Sequence, residues 1–181
     1  MSKCFIVLGM HRSATSLVAQ ALARSIHFPC GPQAPTPDEP HGHYENAEMV
    51  QLNDAMLTAA GGSWHTPPPE AAILALQPCF AERIQDLVRR LQDGHELWGW
   101  KNPRSVLTLP LFLPYIEEPH LVAIFRPPLA VARSLQRRNH LPLARGLALA
   151  AEYNRRLQQL VAQHVAAPSA PPAPVDGRRS P

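Results

Sequence analysis

One stretch of the chain concentrates groups that bind anions. Residues 9–16 read Gly-Met-His-Arg-Ser-Ala-Thr-Ser, after an apolar run at 4–8 and before Leu17, Val18, Ala21 and Leu22 at helical spacing. That order is strand, tight turn, helix start. Free backbone N–H groups and the positive end of a helix dipole converge at such a junction and attract phosphate-like groups. Gly9 suits the turn, and Arg12 adds a full charge with forked donors. Ser13, Thr15 and Ser16 can cap the helix and donate to anion oxygens. Laid on the Walker pattern G-x-x-x-x-G-K-[ST] from Gly9, the segment has Ala14 for the second Gly and Thr15 for the Lys; only Ser16 fits. A Mg-ATP-dependent, kinase-like transferase is therefore the weaker reading of this loop.

A second anion motif lies far along the chain. Arg126 follows the apolar run at 121–125, and Ser134 comes eight residues later, about two turns into the next helical segment. In open α/β sheets ligands bind outside the carboxyl ends of strands, where residues 9–16 also fall. Two anion sites at one edge suit a ligand with two separated phosphate-type groups. Seven arginines between 126 and 156 face a single acid, Glu152. They read either as a solvated helical face or as a site for an anionic ligand. Nucleic acid is disfavoured, because Lys is scarce and no aromatics alternate with the arginines.

The elements that must position these groups follow from periodicity. Residues 4–8, 97–100 and 121–125 are short apolar runs of the kind found in buried parallel strands. Helical spacing covers 15–24, a segment capped by Asn46 with Met49, Val50, Met56 and Leu57 on its apolar face, and 81–93 with Gly94 just past its end. It resumes over 128–138 and 143–163, and Asn102-Pro103 resembles a cap followed by Pro at a first helical position. Trp98 and Trp100 alternate along a strand as core residues, and the leucines at 107, 109, 111 and 113 read as packing. Strands alternating with helices predict an α/β layered fold of P-loop type, with a parallel sheet flanked by helices. The five prolines at 29–40 mark a long loop, and Pro67-Pro68-Pro69 marks a second break. A domain over 1–165 and a Pro/Ala-rich disordered tail over 166–181 complete the expected organisation.

In combination these motifs resemble the sulfotransferase family, in its bacterial and Golgi-type branches, over roughly residues 3–160. Residues 9–16 resemble the family's loop for the 5′-phosphosulfate of 3′-phosphoadenosine 5′-phosphosulfate (PAPS). Arg126 and Ser134 resemble its 3′-phosphate site. Trp98-Gly99-Trp100-Lys101-Asn102-Pro103-Arg104 resembles its Lys-Asp/Asn-Pro element. Gly42-His43-Tyr44-Glu45-Asn46 with Leu52-Asn53-Asp54 resembles an acceptor-side segment. The resemblance implies an enzyme that moves a sulfuryl group from PAPS to an acceptor hydroxyl or amine, without a metal. Gly9, His11, Arg12, Ser13, Ala14, Thr15, Ser16, Arg126 and Ser134 would bind the nucleotide. Lys101 would stabilise the group in flight. Glu45 is the first candidate base, His43 the second and His65 the third. Ala14 stands where the family usually has Gly, so a methyl group is expected to crowd the phosphosulfate. The family's further strand and Gly/Lys loop have no counterpart in 165–181, which implies a chain short at its C-terminus. The alternative is a truncated, catalytically weak nucleotide-binding relative, acting alone, as an oligomer or with a partner protein.

Composition narrows the remaining classes. The chain has 181 residues, 45% hydrophobic and 17% charged, too apolar for a disordered protein and of one-domain length. No apolar run approaches the ~20 residues of a membrane span. Three cysteines at no metal-like spacing suggest neither a disulfide framework nor a zinc site, and the expected compartment is the cytoplasm.

Overall fold

The computed structural model describes residues 2–29 and 42–166; most of the expected proline-rich loop and the expected tail beyond Ala166 lie outside the described residues. The protein is α/β. Three parallel strands, β1 (Lys3–Gly9), β2 (Leu97–Lys101) and β3 (Glu118–Ile124), form a sheet in the order β2-β1-β3. Register sets Val7 opposite Lys101 and Gly9 opposite Ile124, so all three strands end at one edge. Parallel neighbours require crossovers, and helices supply them. They are α1 (Thr15–Leu22), α2 (Ala47–Ala59), α3 (Glu70–Leu74), α4 (Gln77–Gln92), α5 (Ser105–Phe112), α6 (Pro128–Asn139) and α7 (Leu143–Ala166).

The side chains of β1 alternate between two cores of very different size. Cys4, Ile6 and Leu8 enter the larger one with Trp98 and Trp100, under the apolar faces of α2, α4, α5 and α7. Val7 faces the smaller one, with Ala19 and Phe28. Both tryptophans are core, as their alternation predicts, and the Trp100 indole N–H donates to Ser105 at 3.1 Å. Asn46 caps α2 as expected, its side-chain oxygen accepting from the Met49 N–H at 2.9 Å. Asn53 interrupts the apolar face of α2 but is fully buried, donating to the Met49 carbonyl at 2.7 Å and accepting from Thr108.

Three local expectations need correction. The apolar run ending at Phe125 predicts a buried strand, yet β3 is half-buried throughout and Phe125 lies past its end, 48% exposed. Only β1 pairs with it among the described residues, and an edge position removes the cover that a central strand would have. Pro103 is not a first helical position: α5 begins at Ser105, and the Asn102 oxygen instead closes a turn by accepting from the Arg104 N–H at 2.9 Å. The hydroxyls of residues 13–16 do not cap α1. Its cap position is Ala14, which has no acceptor to offer.

Candidate active site

The site is built where β1, β2 and β3 end. After β1 the chain makes two left-handed residues, Arg12 (φ 68°) and Ala14 (φ 63°), before entering α1. Gly9 allows the turn to lie against β3: a Cβ there would meet Thr15 Cγ2 at 2.8 Å and the Ile124 carbonyl at 2.9 Å. Ser13, Thr15 and Ser16 are buried beneath the loop, whereas Ala14 is exposed. The structure adds a backbone penalty at Ala14 to the crowding expected of its methyl group. A left-handed non-glycine costs about 1–2 kcal/mol. Because no side chain caps α1, its first N–H groups remain available to a ligand.

The two anion motifs meet. Arg12 Nε donates to Ser134 Oγ on α6 at 3.0 Å, and the Arg126 guanidinium donates to the Arg12 carbonyl. Residues separated by over a hundred positions thus form one cationic cluster. The third motif joins it from β2. Lys101, only 2% exposed, ends that strand with its ammonium 2.7 Å from Glu45 Oε1. Arg104 approaches the other Glu45 oxygen at 3.6 Å and donates to Asp54 at 2.6 Å. Ser16 Oγ donates to the His43 carbonyl at 3.4 Å, tying α1 to the segment that carries Glu45.

A cavity of about 350 Å³ opens among these groups. Its walls bring together His11, Arg12, Thr15 and Ser16 of the loop, His43 and Glu45, and Lys101 with Arg104. Trp64 and Arg138 also line it. His65 does not line it. That ring is exposed and its Nδ1 is held by Ser63 and Thr66 hydroxyls at 2.9 and 3.1 Å. Gly9, Ser13, Ala14, Arg126 and Ser134 lie outside the cavity wall itself, shaping or bordering the loop.

His11 sits under two aromatic rings, with Trp64 at 4.4 Å and Tyr153 at 6.4 Å between centroids. Tyr153, fully buried, donates to the Trp64 carbonyl at 2.9 Å and so fixes the turn above. Burial, then the charges of Arg104, Lys101, Arg138 and Arg12, hold the His11 pKa well below the ordinary imidazole range. Burial likewise pushes the Tyr153 phenol far up, so it stays protonated. Three of the five sealed polar atoms with no hydrogen-bond partner among the described residues belong here: His11 Nε2, Ser13 Oγ and Asn102 Nδ2. Such groups are rare in folded proteins and accumulate where a ligand supplies the missing partner. No group of three His, Cys, Asp or Glu among the described residues could hold a metal ion.

Sequence reading missed Trp64 in this wall and Tyr153 packed beside His11, and it saw Arg138 only as one of the seven arginines of 126–156. Nothing in their local pattern separates them from core or surface residues, because only the crossovers carry α6, α7 and the turn at 63–66 to the strand ends. Arg104 and Asp54 were visible only as members of motifs.

The ends of the parallel sheet thus carry the loop before α1, the Arg12–Ser134 contact and the buried Lys101. The profile described as Sulfotransferase family matches residues 5–175, and the chain belongs to that family, whose members transfer sulfuryl groups. No curated protein and no solved structure matches the chain.

Proposed function

We propose that the protein transfers the sulfuryl group of PAPS to an acceptor hydroxyl or amine by in-line displacement. One observation carries the reading: Arg12 of the helix-start loop reaches Ser134, while Arg126 holds the Arg12 backbone. Two anion-binding motifs in direct contact, at the edge where α/β proteins take nucleotides, fit a donor phosphorylated at both ends. The buried, unpartnered Ser13 hydroxyl agrees with an anion seated on the loop.

In this reading Gly9, His11, Ser13, Ala14, Thr15 and Ser16 surround the phosphosulfate. Arg126 and Ser134 take the 3′-phosphate, and Arg12 spans the two. Sulfuryl transfer resembles phosphoryl transfer, with charge spread over equatorial oxygens in a loose transition state, so catalysis rests on positioning and cations. Lys101 stabilises the group in flight and the leaving phosphate. Glu45 holds Lys101 and, with His43, lies on the cavity wall where the acceptor proton must go. A catalytically weak nucleotide binder is the second reading, favoured by the left-handed alanine at position 14.

Calorimetric titration with 3′,5′-adenosine bisphosphate tests the donor, with Mg-ATP as control. Binding of the bisphosphate and not of ATP is expected. At 100 times its Kd it stabilises the fold by about 2.7 kcal/mol. No heat and no shift in Tm at millimolar ligand refute the reading.

A further inference from the structure

We propose that His11 is the group that takes the acceptor's proton in the transfer step. The proposal rests on the sulfotransferase reading above and assigns the base within it.

The geometry separates His11 from the other candidates. Glu45 is engaged at both oxygens, 2.7 Å from Lys101 and 3.6 Å from Arg104, and so serves to hold two cations in place. The His43 carbonyl secures α1 by accepting from Ser16 Oγ. His11 is the loop residue that lines the cavity beside Trp64, its ring packed by Trp64 and Tyr153. Its Nε2 is sealed and hydrogen-bonds to nothing among the described residues. In this proposal an acceptor entering the cavity beside Trp64 supplies the partner that this nitrogen lacks. The turn carrying Trp64 is tethered to α7 through the Tyr153 hydroxyl and through Arg145, which donates to Thr66 at 3.1 Å.

The charges around the ring make it a base coupled to the donor. The groups facing it are Arg12 on the loop, Lys101 on β2 with Glu45 against it, Arg104 ahead of α5, Arg138 on α6 and the neutral Tyr153 on α7. Burial first, and then these cations, hold the imidazole neutral in the free protein. An incoming phosphosulfate offsets their charge and raises the ring's affinity for a proton. In the step itself the acceptor oxygen forms a bond to sulfur and its proton passes to the imidazole. The bond from sulfur to the bridging oxygen breaks, and its electron pair stays on the 5′-phosphate, which gains one negative charge. The imidazolium and the leaving phosphate therefore appear together and neutralise one another. The proton passes to solvent as the products leave.

The test compares wild type, His11→Gln and Glu45→Gln in two measurements. One is calorimetric affinity for 3′,5′-adenosine bisphosphate. The other is release of that bisphosphate from PAPS, with water, 4-nitrophenol and methyl glucoside as acceptors, from pH 5 to 9. For His11→Gln the expected result is a rate about 10²–10⁴-fold lower, nucleotide affinity nearly unchanged, and loss of the acidic limb of the wild-type pH profile. Glu45→Gln is expected to retain that limb. A His11→Gln rate within about tenfold of wild type with the limb intact overturns the proposal, as does a wild type that binds nucleotide and releases none. Failure of the donor reading looks different: no bisphosphate binding in any of the three proteins. Should His11→Gln fold poorly, imidazole ¹⁵N resonances of wild type decide. A neutral His11 at pH 7 whose signal moves on adding bisphosphate supports the role; a protonated, indifferent ring overturns it.

Discussion

The two ends of the sheet solve opposite problems. At the amino end, Ser2 donates to the His95 carbonyl at 3.1 Å, Lys3 N–H pairs with the Glu96 carbonyl at 2.8 Å, and His27 stacks on His95 at 3.5 Å. A hollow of about 450 Å³ there is larger than the site cavity, yet none of the sealed, unpartnered atoms belongs to its wall. At the carboxyl end the cavity is smaller, but it gathers a buried Lys, two left-handed residues and three sealed polar atoms without partners. Volume does not mark the site. Uncompensated polarity and strained backbone distinguish it from the amino end, as expected where a ligand or a reaction offsets their cost.

The largest expected effect comes from breaking the charged core of the carboxyl end. Lys101→Ala removes the ammonium 2.7 Å from the Glu45 carboxylate, which is 13% exposed, and keeps the Arg104 contact at 3.6 Å. Removing one member of a buried pair typically costs about 3–5 kcal/mol, and the remaining Arg104 contact keeps this case near the lower figure. Urea unfolding measures it. The same variant should slow turnover, whereas Lys3→Ala at the amino end, breaking an exposed pair at 3.6 Å, should change neither.

Next in size is Arg126→Ala, which removes the proposed 3′-phosphate contact together with the tether on the Arg12 carbonyl. Affinity for 3′,5′-adenosine bisphosphate should fall by about 1.5–3 kcal/mol, roughly tenfold to a hundredfold. Arg12→Ala should also blunt discrimination against adenosine 5′-phosphosulfate, since Arg12 Nε lies on Ser134. Calorimetry with the two ligands checks both statements; unchanged discrimination in Arg12→Ala would separate the two motifs again.

A smaller, opposite effect is expected at Ala14. Ala14→Gly relieves a left-handed conformation of about 1–2 kcal/mol but adds unfolded-state freedom, leaving a net gain of about 0.5–1 kcal/mol in thermal unfolding. An equal gain from Ala23→Gly, at a right-handed position, would show that the left-handed backbone is not the cause.

The smallest effect tests the amino end. Burial and then the neighbouring His95 lower the His27 pKa. A depressed folded-state value means that the unfolded chain binds the proton first. Stability is then complete above the ordinary imidazole pKa of about 6.5 and declines as pH falls below it. His95→Asn should shallow that decline slightly, with nucleotide affinity unchanged; a shift in affinity would contradict the independence of the two ends.

Local chemistry was legible from residues alone wherever neighbours in sequence make it. Residues 9–16 follow a strand and open a helix, Asn46 caps α2, Gly94 (φ 74°) ends the turn after α4, and Trp98 and Trp100 are core. Each depends on spacing of a few residues, so the backbone periods of 2 and 3.6 already decide it. The sheet order, the half-exposed β3, the Arg12–Ser134 contact and the Trp64–His11–Tyr153 stack depend on groups far apart in sequence. No local pattern encodes them, because crossovers of differing length can bring the same segments together in other orders. The same holds for protonation. That His11 is a neutral ring amid four cations, and not one more surface histidine, follows only once β2, α5 and α6 converge on the loop after β1.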